Sequence, residues 1–347
     1  MNARVAELCG QRQFRLAEAP LADPGPGEVQ VRIEAVGICG SDLHAYADGG
    51  VGDTPCVYPM VLGHEPAGTV VSAGAGVTGW TAGDRAALEP AIYCYHCEFC
   101  RTGRHNVCAN IRFMSMPGEP GFFREHANIP AGNLIGIPPG LTLPDATIIE
   151  PLAVVLHSMK FVALGLSETA AVFGAGPIGL MTVICLKLAG AARVWAVEPV
   201  AERRELARQA GADAVIDPSA TDPSGEIQRD TGGRGVDVAI DCAANSGSLD
   251  HCIRAARRAG RVVLTGIHVE AYVPLEVSPL RRKELAIYSV RRSNHEVEAA
   301  RDLLLGNLPR FAAMITHTRP MEQIAEAFHQ VEHRADGVGK LIVLPNA

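Results

Sequence analysis

Ala170-Ala171-Val172-Phe173-Gly174-Ala175-Gly176-Pro177-Ile178-Gly179 is the stretch on which the fold turns. Four apolar residues run into G-x-G-x-x-G, and an apolar segment of helical length, 177–189, follows. The motif is informative only between a strand and a helix, where each glycine has a physical reason. Gly174 permits the tight turn, Gly176 lets a pyrophosphate approach the backbone, and Gly179 lets helix and strand pack closely. Pro177 suits the first helical turn, where its missing N–H costs nothing, and with Ile178 it completes the loop. The helix N-terminus then offers free N–H groups and a positive dipole end to phosphates. A Gly-rich turn with a purely structural purpose is the plainer alternative.

Working outward, Arg193-Val194-Trp195-Ala196-Val197 predicts a second strand and 201–210 a charged amphipathic helix. Ala214-Val215-Ile216-Asp217, Val236-Asp237-Val238-Ala239-Ile240 and Arg261-Val262-Val263-Leu264 read as further strands with helical segments between them. Such alternation predicts a parallel, doubly wound α/β sheet. Glu198 lies nineteen residues after Gly179, at the end of the second strand. A carboxylate there accepts from a ribose 2′-hydroxyl and repels a 2′-phosphate, which favours NAD over NADP. Arg203 and Arg204 oppose this, since either could reach a phosphate; a solvated helix face is their ordinary reading.

Residues before about 150 have another character. Val29-Gln30-Val31-Arg32-Ile33-Glu34-Ala35-Val36 alternates at period two, as a half-buried strand does. The run 68–74 reads as a strand into a turn, and Gly-Pro clusters recur. This part is expected to be mainly β. Helices are expected near 296–305 and 321–331, and a last strand at Lys340-Leu341-Ile342-Val343-Leu344.

Within the β-rich part, Cys94, Cys97, Cys100 and Cys108 fall within fifteen residues as C-x2-C-x2-C-x7-C. Four thiolates so close suit a tetrahedral zinc with no open position, a structural site. Disulfides would require an oxidising compartment and suitable loop geometry. The remaining thiols Cys9, Cys56, Cys185, Cys242 and Cys252 are scattered, as in a reducing cytosol, so a cytoplasmic location is expected. The 347 residues exceed one ordinary core; 48 % are hydrophobic and 20 % charged, which is globular. No run approaches a membrane span, and a net charge of −7 without a basic block argues against a nucleic-acid partner or a nucleic-acid zinc ribbon.

Further ligand-type residues stand in turn-rich settings: Cys39 in Gly37-Ile38-Cys39-Gly40-Ser41-Asp42-Leu43-His44, His64 and Glu65 in Leu62-Gly63-His64-Glu65-Pro66, and Glu150 in Ile149-Glu150-Pro151-Leu152. Spacing alone does not bring them together. The Cys39 loop, the Gly63-His64-Glu65 motif, the four-cysteine lobe and the dinucleotide loop, in this order, resemble the zinc-dependent medium-chain dehydrogenases over residues 25–345. Ile149-Glu150-Pro151-Leu152-Ala153, with His157 beyond, resembles the polyol (sorbitol) and threonine dehydrogenase branch.

The resemblance implies a GroES-like catalytic domain over 1–152 and 292–347, with a zinc lobe at about 93–109, and a Rossmann domain over 153–291. It implies two zinc ions per chain and NAD. Cys39, His64 and a glutamate would bind the catalytic zinc, with Glu65 or Glu150 binding directly or one shell out. Zinc would polarise a substrate hydroxyl, hydride would pass to the nicotinamide, and Ser41 and His44 would relay the proton. Arg291 stands where polyol dehydrogenases carry a cleft arginine, and Tyr46 is adjacent to a position often aromatic. Arg292 replaces a frequent tyrosine, which sets sorbitol itself apart from other polyols, secondary alcohols, butanediol or threonine. A zinc-free quinone-reductase-like relative would share the fold but normally lacks the Cys39, His64 and Glu150 set. A homo-oligomer, dimer or tetramer, is expected on the same resemblance.

Overall fold

In the computed structural model, which describes residues 2–347, the strand Thr169–Phe173 leads into the helix Pro177–Leu188, with Gly176 as its N-cap. Five more strands join Thr169–Phe173 in one parallel sheet. Their spatial order is Ala214–Ile216, Arg193–Val197, Thr169–Phe173, Val236–Asp241, Ala256–Leu264 and Ala286–Ser289. The chain order thus runs outward in both directions from Thr169–Phe173, the Rossmann arrangement, and the Gly-rich turn lies at the reversal. Val236–Asp241 is buried along its whole length, as a central parallel strand covered on both faces should be. Phe173, Trp195, Ile227, Leu249 and Val262 form the core under this sheet. The helix Ala201–Ala210 ends at Gly211, whose φ of 107° is the left-handed conformation a glycine C-cap supplies.

The β-rich part is a seven-stranded sheet in the order Leu134–Gly136, Arg85–Leu88, Glu65–Ala73, Glu28–Gly37, Lys340–Leu344 and Ile315–Pro320, with His126–Pro130 also on Glu28–Gly37. Its core gathers Leu8, Val31, Ile33, Leu62, Phe122, Phe123 and Phe328. Alternation in Glu28–Gly37 is damped towards its end, where Ala35, Val36 and Gly37 are all buried.

The chain divides into two compact units: one takes residues up to Ala153 with Asn294–Leu308 and Ile315–Ala347, the other Val154–Ser293 with Pro309–Met314. Pro309–Met314, expected with the β-rich part, therefore groups with the Rossmann sheet. Two of the longer helices have no counterpart in the sequence reading. Gly40–Asp48 and Ile149–Val162 occupy stretches read there as turns. Glu150-Pro151 opens the second of these; proline is tolerated in a first helical turn, so it marks a beginning here. No helix among the described residues is long and apolar enough to cross a membrane.

Candidate metal centre and cofactor loop

The strands Glu28–Gly37 and Glu65–Ala73 are antiparallel, with Gly37 opposite Glu65; Ile342 lies across from Gly37 on the other side. This register gathers the ends of three distant segments. Cys39 follows as the N-cap of helix Gly40–Asp48, and His64 immediately precedes its strand. Ligand atoms of Cys39, His64 and Glu65 all lie within 4.8 Å of one another. Glu150 stands outside this group of three, though its carboxyl and theirs influence each other electrostatically.

Asp42, almost wholly buried, organises the group. Its Oδ2 accepts from Cys39 N at 3.1 Å, and its Oδ1 from Gly63 N at 3.1 Å and Ser115 Oγ at 3.2 Å. The Nδ1 of His64 is 3.3 Å from Asp42 Oδ1, the carboxylate–imidazole pairing common behind metal ligands. Lys340 is buried beside them; its Nζ pairs with Glu65 Oε2 and donates to Ile38 O at 3.0 Å. Neither Asp42 nor Lys340 was among the residues picked from the sequence. Asp42 had a local signal, an acid at the third position of a helix. Lys340 looked like one more residue of a terminal strand.

The donor chemistry fits zinc: a thiol, an imidazole and a carboxylate. The Oε1 of Glu65 is buried with no hydrogen-bond partner, a deficit that a cation would remove. Burial alone would lower the pKa of His64, yet the charges of Asp42 and Cys39 outweigh it and raise the value well above normal. That is the field of a site built for positive charge. Burial pushes the Glu150 carboxyl up to about 8; His64 and Lys340 pull it back, while Glu65 and Glu89 push it further.

The cysteine lobe is closed and local. The Sγ of Cys108 lies 3.4 Å from that of Cys94 and 3.9 Å from that of Cys97, and Cys94 lies 4.0 Å from Cys100. A tetrahedron with metal–sulfur bonds of 2.3 Å has edges of about 3.8 Å, so four sulfurs at this spacing fit zinc and are too far apart for disulfides. Backbone N–H groups of Cys97 and Cys100 donate to the sulfurs of Cys94 and Cys97 at 3.4 and 3.5 Å. An N–H from His96, aided by Asn110, holds the Cys94 thiol down to about 5. Burial and the neighbouring sulfurs push the Cys100 thiol up to about 12.

The Gly-rich loop shows why each glycine is needed. Gly174 has φ 93°, and a Cβ there would lie 2.8 Å from Ala243 N. A Cβ on Gly179 would run into Gly174 O. At Gly176 the nearest atom to such a Cβ is Arg203 Nη1, at 3.9 Å, so the backbone faces open space with a guanidinium beside it. Glu198 is buried and accepts from Ala175 N at 2.8 Å and Val200 N at 3.1 Å, tying the second strand to the loop. Each oxygen keeps a lone pair for a ribose hydroxyl. Arg204 turns away, donating to Glu198 O and Pro199 O and pairing with Asp217 at 3.1 Å.

Comparison with known proteins completes the picture. A family model for the alcohol dehydrogenase GroES-like domain matches residues 25–139, and one for zinc-binding dehydrogenases matches 177–306. Sorbitol dehydrogenase of Bacillus subtilis (strain 168) is 31 % identical over 345 residues, 99 % of this chain and 98 % of that protein. The chain belongs to the zinc-dependent alcohol dehydrogenases. Its similarity to sorbitol dehydrogenases places it in the polyol dehydrogenase branch of that superfamily. Among solved structures, a zinc-binding dehydrogenase from Sinorhizobium meliloti 1021 bound to NADP superposes with a TM-score of 0.90 at 30 % identity, covering 99 % of this chain and 100 % of that one. An alcohol dehydrogenase from E. coli CFT073 complexed with NADH also gives 0.90 at 30 % identity, covering 99 % of each chain. This dehydrogenase is thus an oxidoreductase that uses zinc and a nicotinamide cofactor.

Ser41 and His44 share the helix Gly40–Asp48. Ser41 Oγ lies 3.4 Å from His64 Nε2. His44, one turn along the same helix, holds Asp48 Oδ2 at 3.0 Å. Tyr46 departs from its expected place in the substrate cleft. Its ring stacks on Phe14 at 5.6 Å and tilts against Phe328 at 5.0 Å, buried in the β-rich core. The physical reason is helical geometry: two residues on from His44, Tyr46 points away from that residue's face. Arg291 is exposed just beyond the strand Ala286–Ser289.

Proposed function

We propose that this dehydrogenase oxidises a secondary hydroxyl of a polyol or sugar-alcohol-like substrate to the ketone, with NAD as acceptor. One observation carries the reading: Cys39, His64 and Glu65 bring three donors of different type within 4.8 Å, with Asp42 holding His64 in the ligating orientation. Zinc held by Cys39, His64 and Glu65 or Glu150 supplies Lewis-acid polarisation of the substrate hydroxyl. Cys94, Cys97, Cys100 and Cys108 hold a second, structural zinc.

The chain's own residues do the rest. Ser41, within reach of His64, receives the hydroxyl proton, and His44, held by its hydrogen bond to Asp48, passes it to solvent. Gly174, Gly176, Pro177, Ile178 and Gly179 seat the pyrophosphate, and Glu198 accepts from the adenosine ribose. Arg291 contributes to substrate binding. The enzyme works in the cytoplasm as a dimer or tetramer.

A second reading, an NADP-preferring or simple secondary-alcohol, butanediol or threonine-type enzyme, draws on Arg203 beside Gly176. The test is a panel of polyols, diols and amino alcohols with NAD and with NADP, following reduced cofactor, together with metal analysis. Polyol oxidation with NAD and two zinc ions per chain is expected. Activity with NADP alone would remove the role given to Glu198, and one zinc ion per chain would remove the catalytic metal.

A further inference from the structure

Lys340 is a buried amine that neither the proton path nor the hydride transfer uses. It opens the final strand Lys340–Leu344 and is only 2 % exposed. A cation withdrawn this far from water must be compensated by its neighbours. Two acceptors do so. Its Nζ donates to Ile38 O at 3.0 Å and forms an ion pair with Glu65 Oε2. Ile38 directly precedes Cys39, so one ammonium group ties the backbone of the thiol loop to the carboxylate.

The fold keeps room for this pair. Gly37 lies opposite Glu65 in the register of the strands Glu28–Gly37 and Glu65–Ala73. A Cβ at Gly37 would run into Glu65 Oε2 and stand 2.8 Å from Lys340 Cε. Gly37 does not adopt the left-handed backbone that favours glycine, so the space for the ion pair is what excludes a side chain there. The two oxygens of Glu65 therefore differ. Oε2 faces the ammonium, whereas Oε1 is buried with no hydrogen-bond partner.

A carboxylate free of other ties can bind a metal through both oxygens, and the second oxygen then takes up coordination space that a substrate hydroxyl needs. We infer that Lys340 is a positioning residue: by retaining Oε2 it limits Glu65 to a single metal–oxygen bond through Oε1 and so keeps one coordination position open. This rests on the assignment of Glu65 as a ligand of the catalytic zinc. If Lys340 only neutralised a buried acid, its removal would leave the coordination number unchanged. If it only supported the fold, its removal would loosen the metal.

The experiment uses the full chain with cobalt(II) in place of the catalytic zinc, because cobalt reports its coordination geometry in the visible spectrum. Four-coordinate cobalt absorbs much more strongly there than five-coordinate cobalt. Lys340→Met should lower the visible absorption by about twofold or more as the second oxygen binds. Its kcat should fall about 10-fold or more, while a chelator removes the metal no faster than from the parent. Lys340→Arg, which keeps a cation beside Glu65, should restore the parent spectrum. Gly37→Ala, whose methyl group displaces Oε2 from Lys340, should reproduce the Lys340→Met spectrum and serves if that variant does not fold. A parent spectrum in Lys340→Met, or faster loss of its metal, would overturn the inference. Glu65→Gln separates this failure from that of the ligand assignment. A parent spectrum in Glu65→Gln would remove Glu65 from the metal and overturn both. A changed spectrum there, with an unchanged one in Lys340→Met, would overturn the role of Lys340 alone.

Discussion

The two candidate metal sites of this dehydrogenase are built on opposite plans. The cysteine lobe takes all its sulfurs from Cys94 to Cys108, and the backbone amides that support them come from the same turn. The centre at Cys39, His64 and Glu65 takes a thiol from a helix cap, an imidazole and a carboxylate from the start of a strand, and a buried lysine from the far end of the chain. A local site saturates its ion and stabilises the chain. An assembled site can leave a position open, because a folded sheet, rather than coordination alone, holds its donors in place. The difference teaches where chemistry could occur: a cation held at the second site could be left open to a substrate, one closed in by four sulfurs could not.

Breaking one site should therefore differ in kind from breaking the other. The largest effect is expected from Cys39→Ser: loss of about one zinc ion per chain and a fall in kcat/KM of more than about 10³-fold, beyond what outer-shell changes produce. Circular dichroism should be unchanged; a variant that unfolds would erase the distinction between the sites. Asp42→Asn should cost roughly 10–100-fold in metal affinity or activity, since it disturbs the imidazole and not the thiol. Wild-type zinc affinity in that variant would show that Asp42 serves the loop alone.

Cys97→Ser inverts the pattern. Zinc content should drop by one, Tm should fall, and turnover per folded molecule should stay within about twofold. A variant as stable as the parent would take the structural role from the lobe.

A smaller effect sharpens the electrostatic contrast. In chelator-stripped protein, the raised Glu150 pKa means that the folded chain binds more protons than the unfolded one between the ordinary 4.5 and about 8. Stability should therefore decrease as pH rises through that window, by no more than about 1.4 kcal/mol per pH unit. The raised His64 pKa acts in the same direction, its contribution being present at low pH and lost as pH rises. Denaturant melts at several pH values should show a shallower slope in Glu150→Gln; an identical slope would place the titration elsewhere. The smallest effect is reserved for His44→Ala, a few-fold loss of oxidation rate with an altered pH profile. An unchanged profile and rate would remove His44 from the proton path.

What was legible in the chain follows the same division. The strand Arg193–Val197, the helix Ala201–Ala210 and the final strand Lys340–Leu344 stand where periodicity put them, because each pattern is contained in the element it describes. The Gly-rich turn was readable for a similar reason: the close approach of Gly179 to Gly174 O lies within the motif itself. The stretch at Glu150-Pro151 read as a turn and is the start of a helix, since a proline stands equally well in a turn or in a first helical turn. Tyr46 misled too, since only the packed core with Phe14 and Phe328 shows which way that helix faces.

By itself the sequence determined the doubly wound sheet, the Gly-rich turn and the four-sulfur lobe. These depend on interactions within a few residues or on repeating patterns. Only the tertiary structure decided that Asp42 orients His64 and that Lys340 pairs with Glu65. Those facts depend on which distant backbones become neighbours. Burial then sets their energies, because a charge removed from water must find its partner wherever the fold has placed one.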